Sequence, residues 1–182
     1  DFIAICVPTP LDIHQEPDIS YVRESATAIS KYLKSGTIVV LESTTYPGTT
    51  EELLKPILEK GSGLTCGQDF YLGFSPERVD PGNLIYKTKN TPKVVGACSK
   101  DGAEVISAMY KAVLDGDVFT VSSPAVAEME KILENTYRNV NIGLIKAFIP
   151  ADRITYFTPI EVFISSMVVQ KIPAFATKYL PS

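Results

Sequence analysis

The chain has 182 residues, of which 45% are apolar and 21% are charged, a composition typical of a globular protein with a substantial core. Its net charge of −4 and the absence of a Lys/Arg cluster from the sequence argue against nucleic-acid binding. The single histidine and the three widely spaced cysteines, which form no CxxC pair, argue against a zinc site and favour reduced, mostly buried thiols.

The first half of the sequence alternates short apolar runs with helical patterns. It begins inside a predicted strand without a leader pattern, so we expect further sequence before residue 1. The predicted elements are a strand Phe2–Val7 covered on both faces, a helix from Ile19 to Leu33 closed by Gly36, a strand Thr37–Leu41, and a helix Glu51–Lys60 that follows a Thr49/Glu52 capping box and ends at Gly61.

The second half continues the alternation. Its predicted elements are a strand Phe70–Phe74, a loop Ser75–Asn83, a strand Lys93–Gly96, a helix capped by Ser99 with Val105, Ile106, Met109 and Val113 on its apolar face, a strand Asp117–Val121, and a helix from Ser122 or Ser123 to about Phe148. The segment Ile160–Gln170 fits either a helix or a strand. No apolar run reaches the ~20 residues of a membrane helix.

This alternation predicts an α/β fold with a mostly parallel sheet and flanking helices. Ligands of such folds bind beyond the carboxyl ends of the strands. Two polar loops are expected at that edge, Pro8-Thr9-Pro10 and Ser43–Gly48.

The loops also carry a family signature. The segments are ICVPTPL (5–11), VVLESTTYPGTTEELLKPILE (39–59), DFYLGFSPERVDPGN (69–83), PKVVG (92–96) and VSSPAVAEMEKILENTYRNVNIGL (121–144). In this order they resemble the UDP-glucose/GDP-mannose dehydrogenase family over residues 1–146. The form SPERVDPGN is most similar to the branch that acts on UDP-N-acetylglucosamine.

The resemblance implies a Rossmann-like NAD domain and a soluble, cytoplasmic homodimer in polysaccharide biosynthesis. Residues 1–122 would be the C-terminal part of the NAD-binding domain, 123–149 the long connecting helix at the start of a central helical domain, and 150–182 an unassigned tail. Such enzymes oxidise the C6 alcohol of a UDP-sugar to the uronic acid with two NAD⁺, through a thiohemiacetal and a thioester on a cysteine. The nicotinamide performs the redox chemistry, and the protein supplies position and electrostatics.

Lys131 and Asn135 are the leading catalytic candidates. They lie four residues apart, so they share one face of the predicted helix. An ammonium and an amide directed at one point can stabilise an oxyanion, which is worth ~3 kcal/mol per donor. The resemblance matches both to the family's catalytic lysine and asparagine. The alternative is a solvated lysine beside Glu130 and Glu134.

The remaining candidates lie in loops. By resemblance, Glu77 is the base that activates the hydrolytic water, and the backbones of Arg78 and Val79 bind the sugar. Thr44 matches a threonine near the water and the nicotinamide. The alternatives are a Glu77–Arg78 surface pair and a Thr44 side chain bonded to its own backbone.

The NAD-contacting set comprises residues at the ends of two strands. These are Val7, Pro8, Thr9, Ser43 and Thr44. Thr9 lies between two prolines that fix its backbone, although rigid prolines would suit an inert loop equally well.

Two family motifs do not occur in this sequence, the GxGxxG turn and the Gly-rich loop with the nucleophilic cysteine. Cys6, Cys66 and Cys98 do not match the nucleophile, so they are interpreted as structural. Two alternatives therefore stand beside an active dehydrogenase. One is a chain that is catalytically incompetent by itself, and the other is a related hydroxyacid dehydrogenase.

Overall fold

The computed structural model describes residues 1–14, 16–78 and 85–148, with side chains as far as residue 144. The chain divides into two compact units, Asp1–Lys131 and Ile132–Ser182. The predicted boundaries after residues 122 and 149 stay predictions, and Ile160–Gln170 lies outside the described residues. The elements are β1 (Phe2–Ile5), α1 (Ser20–Ser30), β2 (Ile38–Leu41), a π-helical segment (Thr49–Leu54), α2 (Lys55–Ser62), β3 (Tyr71–Phe74), β4 (Lys93–Ala97), α3 (Lys100–Val113), β5 (Val118–Thr120) and α4 (Pro124–Phe148).

The strands form one sheet in the order β1-β2-β3-β4-β5. The pairs β1–β2, β2–β3 and β4–β5 are parallel, which confirms the mostly parallel sheet. The pair β3–β4 is antiparallel, with Gly73 opposite Ala97 and Phe74 opposite Gly96. Parallel neighbours are ordinarily joined by a crossover of a dozen or more residues, usually a helix. The antiparallel pairing means that the chain reverses direction between β3 and β4.

The core lies on both sides of this sheet. One cluster contains Val39, Leu41, Phe70 and Phe74, with Leu54 and Leu58 of the neighbouring helical segments. The other contains Val40 and Val95 against Ile106 and Tyr110 of α3. The alternation of Val39, Val40 and Leu41 between the clusters explains why β2 reads as a continuous apolar run.

Several boundaries differ from the sequence expectation. Helix α1 ends at Ser30, before Leu33. Helix α2 continues through Gly61 and ends at Ser62, and Gly63 follows with a φ of 74°, the left-handed conformation common after a helix. Strand β1 is an edge strand with Phe2 exposed, so it is not covered on both faces. The α3 cap by Ser99 is confirmed by a 3.1 Å bond from the Gly102 amide.

The predicted capping box at Thr49 and Glu52 is wrong. The residue before the π-helical segment is Gly48, with φ of 98° and no side-chain cap of its own. Thr49 Oγ1 donates backwards to the Tyr46 carbonyl oxygen at 2.6 Å. The amides of Gly48 and Thr50 donate to a carboxylate from α4.

Two further expectations about side chains fail. Val113 is 57% exposed, and the buried face of α3 contains Tyr110 instead. The cysteines were expected to be mostly buried, but Cys6 is exposed and Cys66 and Cys98 are only partly buried. All three are free thiols. His14 is exposed.

Candidate active site

Three loops follow the carboxyl ends of β1, β2 and β3, and hydrogen bonds connect the first two. Ser43 Oγ donates to the Val7 carbonyl oxygen at 2.6 Å. Thr9 Oγ1 donates to the Thr44 carbonyl oxygen at 2.8 Å. The structure therefore brings together four of the five residues expected to contact a cofactor.

The exposure of these residues distinguishes those that hold the loops together from those that a ligand can contact. Ser43 is buried, whereas Thr44 and Pro8 are exposed and Val7 and Thr9 are half-buried. Ser43 thus holds the two loops against each other. Thr44 presents its side chain at the sheet edge, where a ligand of an α/β sheet binds.

The first turns of α4 reach the loop after β3. Lys131 Nζ donates to the main-chain oxygen of Glu77 at 2.7 Å. Glu77 is exposed, and its carboxylate accepts from the Arg78 amide at 2.6 Å. The structure therefore brings together Lys131 and Glu77, which are far apart in the sequence.

The Arg78 side chain is buried, whereas the alternative interpretation of Glu77 placed Arg78 in a surface pair with it. Its guanidinium forms an ion pair with Glu130 of α4, and only 5% and 9% of the two side chains are exposed. This buried pair fixes the loop after β3 to α4. Val79, the other predicted sugar contact, lies outside the described residues.

Asn135 belongs to the second unit and lies on α4, four residues after Lys131. In the same turn Arg138 and Glu134 form an i,i+4 ion pair at 3.2 Å.

Glu128 was missed by the sequence reasoning. Its side chain is fully buried. Burial raises the pKa of the Glu128 carboxyl above its ordinary value, although bonds from Thr50 and Gly48 act in the opposite direction. In the sequence, Glu128 resembles a surface glutamate of a helix, because the groups that bind its carboxylate lie about 80 residues earlier in the chain.

A second missed group lies at the end of β2. Lys93 Nζ is 3.1 Å from Glu42 Oε2 and 4.7 Å from the centre of the Tyr110 ring. The Tyr110 hydroxyl donates to the other oxygen of Glu42. Burial, and then the Glu42 charge, raises the pKa of the Tyr110 phenol well above its ordinary value. Burial and Glu42 also raise the pKa of the Cys6 thiol.

The remaining thiols lie against each other. A hydrogen bond with the Cys98 thiol lowers the pKa of Cys66, and Lys55 lowers it further, whereas the same bond and burial raise the pKa of Cys98. Among the described residues, no group of three or more His, Cys, Asp or Glu side chains is placed to hold a metal ion. Nor does any described helix combine the length and apolar character that crossing a membrane demands.

Residues 1–114 match the family model described as UDP-glucose/GDP-mannose dehydrogenase family, NAD binding domain. The chain is 45% identical over 144 residues to Protein CapL of Staphylococcus aureus, covering 79% of this chain and 34% of that protein. It is 42% identical over 141 residues to UDP-N-acetyl-D-glucosamine 6-dehydrogenase of Pseudomonas aeruginosa, covering 78% and 33%.

Solved structures agree with the sequence comparisons. The UDP-D-ManNAc dehydrogenase structure from Pyrococcus horikoshii superimposes with a TM-score of 0.75 at 36% identity, covering 81% of this chain and 34% of that one. This chain therefore spans about a third of the length of the curated relatives it matches.

Proposed function

The chain belongs to the UDP-glucose/GDP-mannose dehydrogenase family, a family of NAD-dependent oxidoreductases, and from that premise we propose that the polypeptide containing it oxidises the C6 alcohol of a UDP-sugar to the uronic acid. UDP-N-acetylglucosamine is the first candidate substrate, because a relative 42% identical carries that name. The contact of Lys131 Nζ with the Glu77 main-chain oxygen carries the proposal, since it joins an amine to a carboxylate-bearing loop at the sheet edge.

The residues present at this edge fit a nicotinamide cofactor. NAD, the cofactor of the matched domain, supplies the hydride acceptor when bound. The exposed Thr44 hydroxyl and the backbone of Val7, Pro8 and Thr9 would face it, while Ser43 fixes the separation of the loops. The fit is to the nicotinamide part of the cofactor rather than to its anionic pyrophosphate, because this set contains hydroxyl and amide groups and no cation.

The other candidates take roles in handling the sugar. Lys131 and Asn135 stabilise the developing oxyanion as hydrogen-bond donors, and Glu77 activates the hydrolytic water. The backbone groups of Arg78 and Val79 bind the sugar. The Arg78–Glu130 pair supports these roles because it holds the main chain of the loop at a fixed place.

By itself the 182-residue chain is catalytically incompetent in this proposal. Its sequence contains neither the GxGxxG turn nor a cysteine in the Gly-rich motif. The family match favours a nucleotide-sugar dehydrogenase over a related hydroxyacid dehydrogenase.

Assembly, location and pathway are further parts of the proposal. A homodimer is supported by exposed apolar residues at helical spacing on α4, with exposures of 54%, 45%, 63% and 54% for Leu133, Tyr137, Val140 and Leu144. The enzyme acts in the cytoplasm, in polysaccharide synthesis. Sedimentation of the wild type and of Val140→Glu tests the dimer, since a wild type that sediments as a monomer contradicts it.

Turnover tests the chemistry. The product of the whole reading frame is incubated with NAD⁺ and, separately, with UDP-N-acetylglucosamine, UDP-N-acetylmannosamine and UDP-glucose, while NADH absorbance is followed. Two NADH per uronic acid are expected with one of the three sugars, and none from residues 1–182 alone. The absence of NADH from the whole product with all three sugars refutes the proposed function.

A further inference from the structure

A fully buried carboxylate joins α4 to the loop that follows β2. Glu128 Oε2 accepts from the Gly48 amide at 2.6 Å, and Oε1 accepts from the Thr50 amide at 2.9 Å and from Thr50 Oγ1 at 2.7 Å. One donor belongs to Gly48, which directly precedes the π-helical segment, and the other two belong to Thr50 in its first turn. The carboxylate therefore caps a helix that belongs to another part of the chain.

The cap lies between two candidate functional residues. Gly48 follows Thr44 by four residues in the same loop, and Lys131 follows Glu128 by three residues on α4. Residues three apart on a helix lie on neighbouring parts of its surface. A shift of Glu128 relative to Gly48 would therefore change the position of Lys131 relative to Thr44.

A carboxylate is chemically demanded at this position. Three donors converge on two oxygens, and each would be buried without a partner if an apolar side chain replaced Glu128. A glutamine offers a single acceptor oxygen, and its NH₂ group would face an N–H or O–H donor. Burial of the Glu128 charge opposes folding. The same carboxylate accepts the hydrogen bonds of all three donors.

We propose that Glu128 is a positioning residue, which fixes the loop of Thr44 and the turn of Lys131 in one arrangement for the oxidation. This inference rests on the proposed function for its effect on turnover. Its structural part, that Glu128 holds the Lys131 amine against the Glu77 main-chain oxygen, does not.

The first test compares Glu128→Gln with Glu59→Gln in the product of the whole reading frame. Glu59 is a matched control, because its carboxylate also accepts a loop amide, that of Cys66 at 3.0 Å, but lies on α2. Misplacement of a catalytic group by 1 Å can cost about 10²-fold in rate. We expect kcat of Glu128→Gln to fall by about that factor with KM values changed by less than about 3-fold, and Glu59→Gln to keep the wild-type kcat.

The second test does not depend on turnover. Acylation of each lysine by an N-hydroxysuccinimide ester is followed by mass spectrometry, and Lys131 is expected to react severalfold faster in Glu128→Gln than in the wild type or in Glu59→Gln. Unchanged Lys131 reactivity in a folded Glu128→Gln overturns the proposal, as does an unchanged kcat in an active enzyme. If the wild type reduces no NAD⁺ with any UDP-sugar, the proposed function fails, and the acylation rates alone decide the role of Glu128.

If Glu128→Gln does not fold, a milder variant tests the same proposal. Thr50→Val removes one donor, Oγ1, and keeps the carboxylate, both amides and the side-chain volume. The same changes in kcat and in Lys131 acylation are expected at smaller size. A folded Thr50→Val with both quantities at wild-type values then overturns the proposal.

Discussion

A methyl group added at Gly96 tests whether close packing of β4 against the start of α4 holds the candidate site together. An alanine Cβ at this position would lie 2.2 Å from the Ser123 carbonyl oxygen, 2.7 Å from its carbonyl carbon and 2.9 Å from Pro124 Cα. Real Cβ atoms do not approach closer than 3.0 Å, so the two backbones must separate by about 0.8 Å. No rotamer change can relieve the contact, because these three atoms belong to the main chain.

The expected loss follows from this overpacking. Forcing extra carbon into a packed interior costs about 1–3 kcal/mol, which lowers the melting temperature by about 2–12 °C for a chain of this size. Gly143→Ala is the matched control, because an added Cβ there meets no described atom within 4 Å and the φ of Gly143 is not positive. That substitution is expected to stabilise the helix, by up to about 1 kcal/mol.

Urea and thermal unfolding of the wild type and the two variants measure the difference. Lys131 lies seven residues after Pro124, so in the product of the whole reading frame Gly96→Ala should also lower kcat, whereas Gly143→Ala should not. A Gly96→Ala protein at least as stable as the wild type would refute the close contact and the reasoning built on it.

Three further outcomes are expected. Lys131→Met should lower kcat by about 10²-fold or more with little change in the unfolding midpoint, since one oxyanion donor is lost from a half-buried position. The raised pKa of Tyr110 means that the folded state keeps the phenol proton longer than the unfolded state, so this group's stabilisation is complete below about pH 10 and is lost as pH rises toward the folded-state pKa. Tyr110→Phe should therefore weaken the decline of the urea midpoint in alkali, and an identical decline would contradict the burial of the phenol beside Glu42. Iodoacetamide at neutral pH should alkylate Cys66 before Cys6, although Cys6 is the more exposed. The thiolate is the reactive form, and the pKa of Cys66 is lowered whereas that of Cys6 is raised. Peptide mapping with a Cys66→Ser control checks the order.

Local patterns in the sequence were sufficient for most elements and for the meeting of two polar loops at one edge of the sheet. Apolar runs predicted all five strands, and a Pro in the first turn after two serines predicted the start of α4, where Ser123 Oγ accepts from the Val126 amide at 3.3 Å. The loops after β1 and β2 were expected together because parallel strands end at one edge. The reversal at β4 was not predictable from these patterns, since strand direction depends on where a long loop returns.

The sequence was least informative where polar groups have distant partners. A Thr-x-x-Glu spacing predicted that Thr49 and Glu52 cap their own helix, yet the donors there bond to Glu128, 78 residues from Thr50. Glu42 and Tyr110 are 68 residues apart, and neither has a local pattern that announces the other. Periodicity reports which face of an element is buried, but it carries no information on which buried charge meets which donor.

The same distinction explains how one turn of α4 can organise two loops. Glu128 holds the loop after β2, Glu130 forms the buried ion pair with Arg78, and Lys131 reaches the main chain of Glu77. These contacts involve charged side chains within four consecutive residues, and two of the three hold positions rather than offer a group to a ligand. Because a buried charge is costly without its partner, each contact favours one placement of its loop over its neighbours. The position of the Lys131 amine therefore depends on the carboxylates of Glu128 and Glu130, and the proposed chemistry depends on them as much as on the lysine itself.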